Sequence, residues 1–512
     1  MSGTRILRRE NARRGLRYTL LACSCAAGLA ACSGGGSTSG GTGTTKPPPP
    51  PPPPPARSAE TLAFSGRDTT SATGPVRLFV AKDDAQGQPR VSFSSFSDGA
   101  TIDEFAFSPD GSRVAYRGKP SSTEPAGFYV ADITSSQHFQ LSPNPGGATR
   151  AVSDFDWAPD SLSLIYSGNF GQNPPYLFAK ETYRIDRDGA NRARVNGTIG
   201  NPPFVETRNA RWSPDGAFVV TEVATIVGSG GAGATNAIGL NVYPDGTPSA
   251  GFRLVRATSG LVRNWRISPA SDRVCYNASA NGTSDFFILT SDVAAGAQNN
   301  LVLSDSGNFN SECRWSANGK LVAYLEQTSV GGPADLEVRP GDSSKSATVV
   351  VALAASGRTI TKYEWAPGSN DAIAYIADQD TAGVRELYIA RVSGGGPVKL
   401  NVGLIPNGDV LDFAWSPDRT KIAYVADGEV DANVQLYVSN ADGSGKIKVS
   451  DFLTGEEVNH FVWSVDSTRL AFSAGPIGGI TDRLYVATAD GASSKMINTT
   501  TIATIANISY AP

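Results

Sequence analysis

The chain has 512 residues, with 44 Lys and Arg against 48 Asp and Glu, for a net charge of −4. No basic run follows its first residues, which excludes a nucleic-acid partner held by phosphate contacts. Only two histidines exist, which excludes a multi-histidine zinc site, and 55 glycines with two methionines suit tight hairpins in a β-rich body.

Residues 1–31 carry Arg5, Arg8, Arg9, Arg13, Arg14 and Arg17 against Glu10, so the remainder is near −9. An apolar run from Tyr18 to Leu29 ends in Leu29-Ala30-Ala31-Cys32. A basic start, an apolar stretch of ~12 residues and small residues at its end describe a signal peptide. The stretch is shorter than the ~20 residues of a membrane span. Leu-Ala-Ala-Cys resembles the bacterial lipobox. That resemblance implies cleavage before Cys32 and acylation of Cys32, palmitate among the chains. Ser33 in the next position implies delivery to the outer membrane, facing the periplasm. The bland alternative is an ordinary signal with a chance cysteine.

Residues 32–59 form a linker: a Gly/Ser/Thr coil, then nine prolines from Pro47 to Pro55. At ~3.1 Å per residue the prolines span roughly 28 Å as a stiff rod. An acylated cysteine, a flexible joint and a rod would hold a body of residues 60–512 off a membrane.

That body repeats one pattern. EFAFSPDGSRVAYRG from Glu104 recurs as DFDWAPDSLSLIYSG from Asp154, NARWSPDGAFVVTE from Asn209 and NWRISPASDRVCYNA from Asn264. Further copies start at Glu312, Lys362, Asp412 and His460. Each is an aromatic strand, a turn and an apolar strand. Two more strand signals follow in every unit, such as GFYVADIT from Gly127 and HFQLS from His138. Four antiparallel strands in about 50 residues make the blade of a β-propeller, so the expected class is all-β. All seven tryptophans fall in first strands, where large rings suit the packing of neighbouring sheets. The body starts at TLAFSG (Thr61) with a second-strand sequence and ends at ANISYAP (Ala506) with a lone first strand. Joined, the two ends complete one blade and close a ring. The direct count is nine blades, with eight if one unit is irregular.

Aromatic-x-Trp-Ser-Pro-Asp-Gly followed by apolar-Ala-Tyr resembles the WD-like propeller repeat of the TolB family, over residues 60–512. The propellers of prolyl oligopeptidase-type peptidases carry related repeats. TolB proteins have an α/β domain before the propeller, and the peptidases an α/β-hydrolase domain; this chain has only the linker. The resemblance implies a periplasmic propeller whose channel mouth docks a protein or ligand.

Candidate chemistry is sparse. The turn aspartates Asp110, Asp160, Asp215, Asp418 and Asp466 read as hairpin chemistry rather than a metal ring. Turns at Asp186 and Asn440 lack the full calcium-loop series. Gly228–Gly233 matches G-x-G-x-x-G but is followed by a strand, not the helix a phosphate site needs. No G-x-S-x-G occurs, and no motif supports a triad around His138 or His460. Cys275 and Cys313 fall in adjacent units, either as a disulfide or as two buried thiols. The residues preceding the first-strand aromatic are mostly polar: Glu104, Asp154, Asn209, Asn264, Glu312, Lys362, Asp412, His460 and Asn507. This column is either a mainly acidic site at the channel mouth or a set of solvated strand starts. The expected function is a monomeric, lipid-anchored periplasmic module without cofactor or catalysis, binding an envelope protein or glycan. The opposing reading is a lyase- or lactonase-type propeller enzyme with a divalent metal at the channel mouth.

Overall fold

The computed structural model describes residues 59–67, 74–84, 90–91, 97–135, 137–143, 151–170, 180–195, 204–227, 234–244, 252–255, 262–279, 286–293, 300–305, 312–327, 332–353, 357–451, 453–477, 479, 481–498 and 505–512. Cys32, the linker prolines and Gly228–Gly233 lie outside these residues. The described residues form nine four-stranded antiparallel sheets and no helix. The nine sheets are the blades of a β-propeller, so the direct count holds and the eight-blade fallback falls.

Blade 1 is the split one. Its first strand is Ile505–Tyr510, which pairs with Thr61–Arg67 from the other end of the body. Blades 2 to 9 begin with first strands Thr101–Phe107, Val152–Trp157, Phe204–Trp212, Val262–Ile267, Arg314–Trp315, Ile360–Trp365, Val410–Trp415 and Glu456–Trp463. In blades 2 to 9 the chain steps outward through consecutive neighbours, so each pairing is local, whereas the innermost pairing of blade 1 joins the two ends of the body.

A sheet must bury both faces against its neighbours, and here it does so interface by interface. Nine apolar clusters are found among the described residues, one for each blade–blade interface. The tryptophan column belongs to these clusters, and it has a second job. The indole N–H of Trp157, Trp315, Trp365 and Trp463 donates to the first-strand carbonyl of Ala106, Arg266, Arg314 and Ala414 in the preceding blade, at 3.0–3.2 Å. Indole supplies both the apolar ring and the donor, a pairing Phe or Leu cannot offer.

The turn aspartates form a second belt. The carboxylates of Asp110, Asp215, Asp418 and Asp466 accept from the Ser hydroxyl two residues earlier at 2.5–2.7 Å. They also accept from a backbone N–H two residues later at 3.0 Å, so the turn reading holds for them. The backbone N–H of Asp110, Asp215 and Asp418 in turn donates to the hydroxyl of Ser161, Ser271 and Ser467 in the next blade. Those three serines have φ near +60°, where other blades place Gly111, Gly216 or Gly319. A left-handed backbone disfavours side chains. Here the serine hydroxyl gains an interblade bond that glycine would forgo.

Ring closure combines both devices. Ala511 donates its N–H to the Thr61 carbonyl at 2.8 Å. The Glu60 carboxylate accepts the N–H groups of Val465 and Asp466 in the blade 9 turn, at 3.1 and 3.2 Å. Glu60 thereby does for the split blade what the turn serines do elsewhere. Arg469 of blade 9 reaches the fully buried Asp83 carboxylate at 2.8 Å.

Candidate functional site

First strands are the inner strands of the blades, touching one another between blades 3 and 4, 6 and 7, 8 and 9, and 9 and 1, so they form the wall of the central channel. Eight of the nine share a feature that alternation alone does not suggest. One extra residue interrupts the pairing with the second strand, as between Ile102 and Glu104, Val152 and Asp154, or Val458 and His460. Such bulges twist a strand and re-aim its side chains. In blades 4 and 5 the bulge is of a special form: Asn209 and Asn264 have φ of 50° and 49°. Asparagine tolerates that conformation better than most residues, which accounts for Asn at these two places in the column.

The structure separates the polar column into groups. Glu104 pairs with Arg117 of its own blade at 3.8 Å. Asp154 is buried and accepts the Ser153 hydroxyl at 2.7 Å and the Ala210 N–H of the next blade at 3.2 Å. It is an interblade tie. Glu312 receives Arg266 at 3.0 Å and Arg314 at 3.1 Å. Burial opposes its ionisation, but Arg314 and Arg266 outweigh burial and hold its pKa below the ordinary value. Lys362 donates to Asp412 at 2.6 Å and to the Phe413 carbonyl at 2.7 Å, and also pairs with Glu364 at 3.4 Å. Burial lowers the His460 pKa, and Asp412 counters only part of that. Asn507 is half-buried in the closing strand. His138 lies on an outer strand, so the two histidines do not meet.

A mainly acidic ring is therefore not what lines the wall. Two places further along the strand stand Asp156, Arg211, Arg266, Arg314 and Glu364 in blades 3 to 7. These interleave with the first column into a chain of alternating charge, Arg266–Glu312–Arg314–Glu364–Lys362–Asp412, with successive contacts of 3.0, 3.1, 4.0, 3.4 and 2.6 Å. Sequence reading missed the arginines, although N-A-R-W, N-W-R-I and E-C-R-W put them in one position.

The wall is not equally covered. On Val262–Ile267 of blade 5, Arg263, Asn264 and Arg266 are all exposed; every other first strand exposes at most one residue among those described. Blade 6 contributes only Arg314–Trp315 beside it. Trp265 on the same strand is half-buried, and its indole N–H donates to Glu222 at 3.0 Å. Glu222 also receives Arg208 at 3.1 Å. A disulfide joins Cys275, in the second strand of blade 5, to Cys313. That cysteine is flanked by Glu312 and Arg314, so the bond ties the ion-pair partner of Arg266, Glu312, to the strand that pairs with the exposed one. The polar arc Asn209, Arg263, Asn264, Arg266 and Glu312 is the candidate site. Among the described residues no three His, Cys, Asp or Glu side chains are grouped as metal ligands.

No protein-family model matches the chain, and no curated protein matches it. Many solved structures do. A eukaryotic initiation factor is 12% identical over 89% of this chain and 99% of its own, with a TM-score of 0.56. Dipeptidyl peptidase 4 of Porphyromonas gingivalis is 13% identical over 83% of this chain and 66% of its own, with a TM-score of 0.53. TolB of Acinetobacter baumannii matches 56% of this chain and 62% of its own at 18% identity, with a TM-score of 0.31. At these identities the first two likenesses show the shared propeller fold and nothing about activity.

Proposed function

We propose that this propeller is a lipid-anchored binding module of a bacterial envelope, whose channel wall at blades 4 to 6 docks an envelope protein or glycan. The observation that carries this reading is the exposed run Arg263, Asn264 and Arg266 on an innermost strand, where the other blades cover theirs. Exposed polar groups on a rigid scaffold are what a recognition surface needs. Leu29–Cys32 and the proline rod support an anchored body held away from a membrane.

In-cell crosslinking tests it, with an affinity tag inserted in the Gly/Ser stretch 33–43. A C-terminal tag would disturb Pro512, whose carbonyl packs 3.3 Å from where a Cβ on Gly111 would sit. The expected result is one dominant envelope partner, lost in an Arg263→Gln/Arg266→Gln variant, with Cys32→Ser releasing the protein from the membrane fraction. Capture that is unchanged in the double variant overturns the site, and retention of Cys32→Ser in the membrane overturns the anchor.

A further inference from the structure

We infer that the outer edge of blade 6, Thr348–Val351, docks a second copy of this chain, the two strands meeting antiparallel across a two-fold axis. The inference is independent of the channel wall, and it replaces the monomer expected from sequence with a weak dimer. A comparison of the nine edges carries it. The outermost strand of each blade has no strand beyond it among the described residues, and an edge of that kind is a template for another chain. Proteins blunt such edges with charge or by keeping them very short. Six of the nine carry a basic residue: Arg90, Arg194, Arg253, Lys399, Lys448 or Lys495. Blade 2 places the polar His138 and Gln140 there, and blade 5 has only Leu301–Val302. Blade 6 has neither defence. Its Thr-Val-Val-Val strand is as long as any outer strand, and it lies in a stretch without a charge from Ser346 to Gly357. Val350 and Val351 are turned onto the apolar cluster shared with blade 7, whereas Thr348 and Val349 are exposed.

Charge decides the occupant. A two-fold axis sets a strand against its own sequence. At the six basic edges that would bring like charges together, which opposes pairing. At blade 6 it brings threonine and valine together, and β-branched cross-strand pairs favour it. A charged foreign strand would find no counter-charge on this edge. Four residues a side bury far less than the roughly 800 Å² per partner of a stable interface. A bulge at Val350, against the third strand Ala334–Pro340, shortens the regular ladder further. The dimer is therefore weak and concentration-dependent.

Sedimentation velocity of the full-length chain in neutral detergent tests this. The dimer fraction should rise with concentration. It should also rise with salt, because the two bodies share a negative net charge and the contact contains no ion pair. Val349→Lys should weaken self-association by about tenfold or more, since it sets like charges across the axis. Val349 is 51% exposed and lies opposite Glu337, so the variant should keep the wild-type melting temperature. Val398→Lys, at a 42% exposed valine on the blade 7 edge, should leave self-association unchanged. Should Val349→Lys fold poorly, Thr348→Cys and Val349→Cys with a short bismaleimide decide the matter: covalent dimers are expected from these and none from Val398→Cys. A wild type that is monomeric at every concentration overturns the inference. So does a dimer that persists in well-folded Val349→Lys, weakens as salt rises, or crosslinks equally through Val398→Cys. A photoreactive residue at position 349 that captures another protein in cells, and no second copy, overturns it in favour of a foreign strand.

Discussion

At the scale of single residues, position in the repeat does not settle a role. Asp154 and Asp412 occupy one column, yet Asp154 ties two blades together and Asp412 anchors a lysine. The aromatic and turn positions were legible in the sequence, because burial and turn geometry select residue types directly. The arginines were not. A one-residue bulge reverses which alternate positions face the channel, and nothing in N-W-R-I announces it. Asp156 yields a prediction at this scale. Burial pushes its pKa up to about 6, against Arg211 and the Trp212 N–H, and with Glu104 adding to the rise. A folded value above the unfolded one means the group stabilises the fold below about pH 4 and loses that contribution as pH rises through about 6. Wild type should therefore lose stability relative to Asp156→Asn between those values. Denaturant unfolding across that window checks it, and a pH-independent difference between the two proteins would overturn it.

At the scale of the element, the first strand does most of the joining. Its rings fill the interblade clusters, its indoles bond backward to the preceding blade, and its turn bonds forward to the next. Blade 6 has the shortest first strand, Arg314–Trp315, and is the one secured by Cys275–Cys313. Sequence left that pair open between a disulfide and two thiols, because a spacing of 38 residues does not reveal that the second strand of one blade abuts the lead-in of the next. Closing a loop of that length stabilises by about 2–4 kcal/mol. Cys275→Ala/Cys313→Ala should lower the unfolding free energy by about that amount. Since both cysteines are fully buried, reductant should change the wild-type melting temperature only when present during unfolding. A double variant with wild-type stability would show that the bond contributes nothing.

At the scale of the whole molecule, nine blades form a ring only if the two ends meet. Ile505–Tyr510 covers the edge of Thr61–Arg67 and, with Leu62 and Phe64, fills the interface to blade 9. Deleting Ala506–Pro512 strips that edge and uncovers those side chains. The melting temperature should fall by about 10 °C or more, since several kcal/mol of packing are lost from one cooperative body. Differential scanning calorimetry measures it, and an unchanged transition is inconsistent with a ring latched by the split blade. The proline-rich linker runs into this same blade in sequence, so Glu60 lies where the linker meets the latch.

The sequence by itself determined the blade, the count of nine and the split closure, because repeating aromatic columns, alternation and turn residues are local and periodic signals. Only the tertiary structure decided which polar residues face the channel, which neutralise one another and where the wall is bare. Those outcomes depend on a one-residue bulge in eight of the nine inner strands and on ion pairs between residues about fifty positions apart, neither of which a local pattern records.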